Sequence, residues 1–238
     1  MPAANDAPAI REIRARPVLA PMRRPLRTGS GAVERAALVL VDLETDAGVV
    51  GRTYLFAIGP QNLKPLVALV EAMAERVRGM PLAPFDLERT LRAQYALLGV
   101  HNLVLMAMAG IDMAAWDALA RHRGVALARL LGGTPRPVRA YNSNGLGLMP
   151  PSELAAEAEA LLAEGFGAVK LRLGRPDARA DLEAGRVVRR AIGGAAAGGI
   201  ATTFDLAAVA HAGETLLLHS MDDDAVEWDN SKAIAEQW

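Results

Sequence analysis

The sequence predicts two regions of different fold class: an α+β region over residues 1–135, followed by an incomplete α/β barrel over residues 136–238. Two apolar segments joined by a short turn indicate an antiparallel hairpin near the N-terminus, and helical periodicity follows it. After residue 137 the pattern changes to alternating strands and helices, which is typical of a parallel sheet. A complete barrel of eight units takes about 250 residues, so this second region holds three or four units.

The first region opens with strand patterns. Residues 10–19 predict a strand, and residues 21–31 are rich in proline, glycine and arginine, which predicts a mobile loop. Residues 36–45 and 49–56 are strongly apolar, and Asp46-Ala47-Gly48 between them predicts a tight turn. We therefore expect a small antiparallel sheet of three strands.

Three helices are predicted to follow this sheet. Residues 61–78 carry apolar side chains at the spacing of an amphipathic helix, and the prolines of residues 81–84 end it. Asp86 is placed to cap a second helix, and residues 104–123 predict a long third helix rich in alanine and methionine. The glycines and prolines of residues 132–137 mark the clearest domain boundary.

Beyond this boundary, residues 138–143 predict a strand and residues 151–164 predict a helix, with Ser152 as its cap. A second strand over residues 168–173 and a second helix over residues 177–192 repeat the unit. Repetition of strand and helix implies that the strands are parallel.

The composition is that of an ordinary soluble globular protein, with 52% hydrophobic and 22% charged residues. A formal net charge of -1 gives no electrostatic reason to expect nucleic acid or an anionic membrane as a partner. The absence of cysteine excludes disulfides, a thiolate nucleophile and a cysteine-based zinc site. The N-terminus lacks a signal-peptide pattern and no apolar run is long enough to span a bilayer, so we expect a cytoplasmic location.

The strand over residues 168–173 carries two cations at alternate positions. Alternation places Lys170 and Arg172 on one face and the apolar side chains of Val169, Leu171 and Leu173 on the other. In a barrel of strand–helix units, the inward face near the end of a strand holds catalytic groups, so this pair is a candidate for anion binding or proton transfer. The alternative is an edge strand with a solvated basic face.

Four segments resemble a known family. They are LVLVDLETDAGVVGRTYLFA (38–57), PLAPFDLE (81–88), MAMAGIDMAAWDALA (106–120) and AVKLRLGRPDARADLEAGRVVRRAIG (168–193). These segments are similar to the mandelate racemase / muconate lactonizing enzyme family of the enolase superfamily, with its mandelate racemase branch as the nearest match. The resemblance extends from residue 10 to about residue 193. It implies an α+β capping domain over residues 1–135 followed by an incomplete α/β (TIM-type) barrel over residues 136–238.

The resemblance also implies an activity. Members of this family abstract a proton from the carbon next to a carboxylate, using lysine or histidine as the base and Mg²⁺ to stabilise the enediolate. We therefore expect a Mg²⁺-dependent racemase or dehydratase that acts on a small 2-hydroxy acid. The family also commonly forms homo-oligomers.

Residue by residue, the resemblance assigns residues 20–31 to a mobile flap over the substrate and Tyr54 to the capping-domain position that faces it. Ser143 resembles the hydroxyl that meets the substrate carboxylate, and Lys170 resembles the first lysine of the family's Lys-x-Lys motif. Arg172 stands in place of the second lysine, which is the base. A guanidinium stays protonated, so Arg172 is a poor base, although it can still hold a carboxylate through two hydrogen bonds.

The chain departs from the family pattern after residue 193. By position, Asp205 is the candidate for the first Mg²⁺ ligand and Glu227 for the second, while Asp222-Asp223-Asp224 is more typical of a solvated turn. No histidine–aspartate pair for a second base matches here. The tail is a diverged continuation of the barrel, foreign sequence, or part of a fragment that pairs with another chain. The alternative to an impaired enzyme is thus an inactive remnant that acts as a binding or assembly module.

Overall fold

A computed structural model of the chain describes residues 7–28, 31–138 and 140–193, together with the backbone of residues 200–204. The chain divides into two compact units. Unit 1 comprises residues 1–21 and 35–136, and unit 2 comprises residues 22–34 and 137–238. Residues 22–34 are the tip of an N-terminal hairpin, and their place in unit 2 was not predicted from the sequence.

The N-terminal sheet has three strands, β1 (Ile10–Thr28), β2 (Gly31–Thr45) and β3 (Val50–Phe56), in the order β1-β2-β3, and unit 1 contains β3 and the parts of β1 and β2 nearest to it in sequence, residues 10–21 and 35–45. Strands β2 and β3 are antiparallel, with Leu40 opposite Tyr54. The turn between them is closed by a 3.0 Å hydrogen bond from the Thr45 amide to the Val49 carbonyl, and Gly48 takes a positive φ of 76°. The predicted hairpin is confirmed.

The prediction of a loop over residues 21–31 is wrong for most of this range, because β1 continues to Thr28. Exposure alternates along this part of β1: Met22, Arg24 and Leu26 are partly buried, whereas their neighbours are exposed. The prolines fall on the exposed side, and β1 lies at the edge of the sheet, where proline is tolerated. The composition was typical of a loop, but the alternation is that of a strand.

The helices of unit 1 are α1 (Leu63–Val77), α2 (Pro84–Gln94), α3 (Asn102–Arg123) and the short α4 (Leu127–Leu130). The three predicted helices are confirmed within two residues, except that α2 begins before Asp86. Its cap position is Ala83, and Pro84 stands in the first turn, where its missing N–H costs nothing. Asp86 therefore lies within the first turn, where its charge favours the helix dipole.

The core of unit 1 forms where one face of the sheet meets the helices. β2 buries every second side chain, and α3 packs its small residues against β3. A Cβ atom added at Gly51 of β3 would lie 2.0 Å from the carbonyl oxygen of Ala114 on α3. The strand and the helix thus approach backbone to backbone, which only glycine permits at this position.

Helix α3 is long and apolar enough to cross a membrane, so the expectation that no apolar run has this length is wrong. Half of the most apolar stretch of this helix is buried inside the protein. The helix contacts β3, α1 and α2. These contacts are those of a core helix.

Unit 2 contains α5 (Pro151–Leu162), β4 (Val169–Leu173), α6 (Ala178–Ile192) and β5 (Ile200–Phe204). β5 runs parallel to β4, with Ala201 opposite Lys170, and the sequence analysis did not predict it. The predicted strand over residues 138–143 is reduced to one parallel bridge between Asn142 and Val169. The two predicted helices and β4 are confirmed, although Ser152 does not cap α5, which begins after Pro150.

One face of β4 forms the core of unit 2. Val169, Leu171 and Leu173 are buried there, and the two helices cover them with six buried side chains: Leu154, Ala158, Leu161, Ala184, Val188 and Ile192. Because both helices lie on this face, the other face of β4 is free of helices within the described residues.

Candidate functional site

The two cations of β4 lie together on the face that the helices leave open. Exposure alternates along the strand, so that Lys170 and Arg172 are partly buried while their three apolar neighbours are fully buried. This confirms the predicted alternation. Two positive side chains therefore share one partly desolvated face.

Among the described residues, neither cation has a carboxylate partner. In the part of the chain that the structure describes, no carboxylate lies within ion-pair distance of Lys170 or Arg172, and the Arg172 guanidinium has one weak hydrogen bond, 3.3 Å to the Gly145 carbonyl. Burial lowers the pKa of Lys170, and the charge of Arg172 lowers it further. Burial also lowers the pKa of Arg172. Both groups would gain from an anion, which would offset their desolvation and mutual repulsion.

The segment from Asn142 to Leu146 runs beside the two cations. The Lys170 amide donates to the Asn142 carbonyl at 2.9 Å, and the Arg172 amide donates to the Leu146 carbonyl at 3.0 Å. Ser143 lies in this segment and its side chain is exposed. The predicted hydroxyl is thus one residue away from the backbone partner of Lys170.

Leu146 holds this segment in a strained conformation. Its φ is +49°, which is unusual for leucine, and its side chain is completely buried. Its amide donates a 2.8 Å hydrogen bond to the Glu157 carboxylate of α5. Backbone strain of this kind persists only where surrounding contacts impose it and is frequent at ligand sites.

A buried ion pair lies directly after β4. Asp181 of α6 accepts from the guanidinium of Arg175 at 2.9 Å and from the Gly174 amide at 2.8 Å. The same guanidinium donates to the carbonyls of Arg172 at 3.3 Å and Met149 at 3.0 Å. Arg175 therefore fastens the end of β4 to the segment that precedes α5.

This ion pair was not predicted from the sequence, although one signal was present. Asp181 occupies the same stripe of α6 as the buried residues Ala184, Val188 and Ile192. A carboxylate in an apolar stripe indicates a buried partner, because an unpaired charge is costly there.

The N-terminal residues of unit 2 are also bonded to the segment beside β4. Arg24 of β1 forms a 2.7 Å ion pair with Glu164, and Glu164 accepts a 2.8 Å hydrogen bond from the buried amide of Asn142. These bonds, that to Arg24 first, lower the pKa of Glu164. The Leu148 amide donates to the Arg27 carbonyl at 3.3 Å. Residues 22–28 of the segment predicted as a flap are thus part of β1 and are bonded within unit 2, and their role toward a substrate stays a prediction.

The other predicted site residues lie in unit 1 or outside the described residues. Tyr54 belongs to unit 1, where it lies on the sheet face opposite the helices and is 62% exposed. Asp205 and Glu227, the predicted Mg²⁺ ligands, lie outside the described residues. Among the residues that are described, no group of three or more histidine or acidic side chains could hold a metal ion. These residues do not by themselves fit a Mg²⁺ site.

Comparison with solved structures identifies similar folds that carry magnesium. An enolase from alpha-proteobacterium bal199 with bound Mg is 40% identical, with a TM-score of 0.78 over 86% of this chain and 58% of that chain. An enolase from Bradyrhizobium, complexed with magnesium and mandelic acid, is 39% identical, with a TM-score of 0.73 over 84% of this chain and 54% of that chain.

Among characterised proteins, D-galactarolactone cycloisomerase from Agrobacterium fabrum is 35% identical over 71% of this chain and 45% of its own length. L-talarate/galactarate dehydratase from Salmonella typhimurium is 28% identical over 66% of this chain and 40% of its own length. The chain therefore spans less than half the length of these relatives. Residues 10–132, more than half of the chain, match the family model for the N-terminal domain of mandelate racemase / muconate lactonizing enzyme. The chain belongs to the mandelate racemase / muconate lactonizing enzyme family of the enolase superfamily.

Proposed function

We propose that the chain binds the carboxylate of a small 2-hydroxy acid at Lys170 and Arg172, and that it abstracts the neighbouring proton poorly. The observation that carries this proposal is the pair of partly buried cations without a carboxylate partner among the described residues. A carboxylate between the two side chains would accept charge-assisted hydrogen bonds from both.

In this proposal Lys170 and Arg172 hold the carboxylate, and Ser143 donates a hydroxyl hydrogen bond to it. The segment that contains Ser143 is bonded to the backbone of β4 on both sides of Leu171, which supports a fixed position for this hydroxyl. Tyr54 of unit 1 is assigned to contact the substrate, as the resemblance implies. A hydroxy acid is the substrate class, because the mandelic acid bound to the Bradyrhizobium relative is one.

Arg172 is the reason that proton abstraction is impaired. Burial lowers its pKa, but a guanidinium remains protonated at any pH at which the protein is folded. Lys170 can lose its proton more readily, because burial and Arg172 both lower its pKa. Lys170 is therefore the better base of the two, but it is also the group that the carboxylate needs as a cation.

We further propose that unit 2 is the beginning of the barrel that the longer relatives possess. Its parallel pair β4 and β5, with helices on one face of β4, supports this interpretation. Because the described residues do not fit a Mg²⁺ site, no step is assigned to a metal ion. Asp205 and Glu227 remain the candidate ligands.

The test of this function is exchange of the mandelate α-proton in deuterated buffer, followed by proton NMR. The wild-type chain should exchange it slowly, and Arg172→Lys, which restores a titratable amine, should exchange it at least tenfold faster. A positioned general base contributes about 10²–10⁴-fold. Rapid exchange by the wild type, or no gain in the variant, would contradict the proposal.

The second candidate is an inactive remnant that acts as an assembly module. The observation that favours it is Arg172, whose guanidinium stays protonated and cannot act as the base. A remnant of this kind should form stable oligomers in light scattering yet show no mandelate binding. Binding of mandelate that depends on Lys170 would exclude it.

A further inference from the structure

The side chain of Asn142 is buried and uses both ends of its amide. Its Nδ2 group donates to the Leu161 carbonyl at 3.1 Å and to the Glu164 carboxylate at 2.8 Å. Its Oδ1 atom accepts from the Asn144 amide at 3.1 Å. Because two acceptors meet one end and a donor meets the other, these partners fix the orientation of the side chain.

The hydrogen bond from the Asn144 amide closes a turn around Ser143. An asparagine that accepts from the amide two residues later forms an Asx turn, which restrains the backbone of the residue between them. The Asn142 backbone is bonded to β4 and the residue before it: its carbonyl accepts from the Lys170 amide at 2.9 Å, and its amide donates to the Ala168 carbonyl at 2.8 Å. Asn142 therefore restrains Ser143 relative to Lys170 through both its backbone and its side chain.

The carboxylate of Glu164 connects this turn to Arg24 of β1. Its Oε1 atom accepts from the Arg24 guanidinium at 2.7 Å, whereas its Oε2 atom accepts from Asn142. The Glu164 side chain is 39% exposed, so it has rotamers that point to solvent. The ion pair with Arg24 favours the rotamer that reaches the buried amide, where the charged carboxylate is a strong acceptor.

We propose that Arg24 is a positioning residue for the proposed carboxylate site on β4. It acts through Glu164 and Asn142, and its effect is to hold Ser143 in place. Without the ion pair, Glu164 can turn to solvent, and the buried Nδ2 group of Asn142 then loses its charged acceptor. The Asx turn opens more often, and the Ser143 hydroxyl meets the ligand less often. The ligand rests on the proposed function, whereas the hydrogen bonds that connect Arg24 to the turn do not.

Hydrogen exchange followed by NMR tests the positioning without a ligand. Arg24→Met should raise the exchange rates of the Asn144 and Lys170 amides at least about threefold, because both amides are bonded to Asn142 and local opening exposes them. Unchanged rates at these two amides would overturn the proposal.

Two controls accompany the exchange experiment. The Gly174 amide is bonded to Asp181 and should keep its rate in Arg24→Met, which shows that unit 2 remains folded. The variant Arg190→Met removes an arginine of unit 2 that pairs with Glu183 at 2.8 Å, close to the length of the Arg24 pair. It should leave the rates of all these amides unchanged. An equal rise in Arg190→Met would mean that any lost ion pair loosens the turn, which would contradict the proposal.

Mandelate affinity, measured by calorimetry, tests the consequence for the site. Arg24→Met should weaken binding at least about threefold, and Arg24→Lys, which keeps the charge, should bind within about twofold of the wild type. In the Ser143→Ala background, Arg24→Met should weaken binding no further, because the hydroxyl that it positions is absent. Equal losses in the two backgrounds would overturn the proposal.

A second pair of variants separates positioning from direct contact between Arg24 and the ligand. In the Glu164→Ala background, Arg24→Met should leave the affinity unchanged, because the residue through which Arg24 acts is missing. A further loss there would show that Arg24 contacts the ligand itself and would contradict the proposal. If the wild type does not bind mandelate, the proposed function fails, while the exchange rates still decide whether Arg24 holds the turn.

Discussion

The two units differ in the ion pairing of the charged side chains on their strands. In unit 1, Glu44 of β2 accepts hydrogen bonds from Arg11 and Arg14 of β1, and Asp42 is paired with Arg16 at 2.7 Å. In unit 2, the described residues provide no carboxylate for Lys170 and Arg172 of β4. Glu44 and Asp42 of unit 1 are thus paired within their own sheet, whereas the β4 cations lack a carboxylate among the described residues, as the proposed ligand site requires.

Unit 2 shows the same contrast over three residues. Arg175 is as buried as its partner Asp181 and makes hydrogen bonds to two carbonyls besides. Within the described residues, the Arg172 guanidinium has one weak hydrogen bond, to a carbonyl. Unit 2 can therefore pair a buried arginine fully, as it does for Arg175, but its described residues do not pair Arg172 in this way.

The largest effect is expected from breaking the buried pair. Asp181→Asn leaves the Arg175 charge without a partner and should lower the free energy of unfolding of unit 2 by about 3–5 kcal/mol. The control Glu183→Gln removes an exposed partner of Arg190 and should cost at most about 1 kcal/mol. Urea unfolding of both variants measures this, and equal losses would show that burial makes no difference to these pairs.

A smaller effect is expected where β3 meets α3. Gly51→Ala forces a Cβ into the backbone of α3 and should cost unit 1 about 1–3 kcal/mol. Gly185→Ala adds the same atom to open space on α6 and should stabilise unit 2 by about 0.5–1 kcal/mol. Thermal unfolding monitored by circular dichroism would distinguish them, and a neutral Gly51→Ala would refute the close approach.

The unpaired cations should cost stability. Lys170→Met relieves repulsion and desolvation, and should raise the free energy of unfolding by about 1 kcal/mol at neutral pH. Because the pKa of Lys170 is lowered by folding, wild-type stability should rise as pH increases from the folded-state pKa toward 10.5, and the advantage of the variant should shrink. A constant advantage up to pH 10.5 would contradict the assigned pKa direction.

Glu44, unlike Lys170, should stabilise the folded protein in its charged form. Hydrogen bonds from Arg11 and then Arg14 lower its pKa below 4.5, so its contribution is complete above pH 4.5 and disappears as pH falls through the folded-state value. Urea unfolding between pH 3 and pH 6 should show this decline in the wild type and a flatter profile in Glu44→Gln. Parallel profiles would mean that the pairing in unit 1 contributes nothing.

Features that depend on local pattern were predicted from the sequence. The hairpin of β2 and β3, the helices and the alternation of β4 all follow from periodicity within a short segment. Composition misled the prediction for residues 21–28, because proline and arginine are typical of loops even where exposure alternates as in a strand.

Features that depend on distant partners were not predicted. Asn142 makes one bridge to β4 and is not part of a longer strand. The carbonyls of Gly145 and Leu146, a few residues later, accept hydrogen bonds from the guanidinium and the amide of Arg172. Arg175 was overlooked because its contacts extend 26 residues back to Met149. Such contacts are set by tertiary packing. The periodicity of a segment indicates which of its residues are buried, but not which distant residues they contact.

The most direct test of the account is a calorimetric titration of the purified chain with mandelate. The wild type should bind one equivalent, and Lys170→Met/Arg172→Met should bind at least tenfold more weakly. Lys64→Met/Arg76→Met, which removes the same charge from the exposed face of α1, should bind as the wild type does. Mandelamide, which lacks the carboxylate, should not bind. An affinity for mandelate that is unchanged in the β4 double variant would contradict the claim that these unpaired cations form the ligand site.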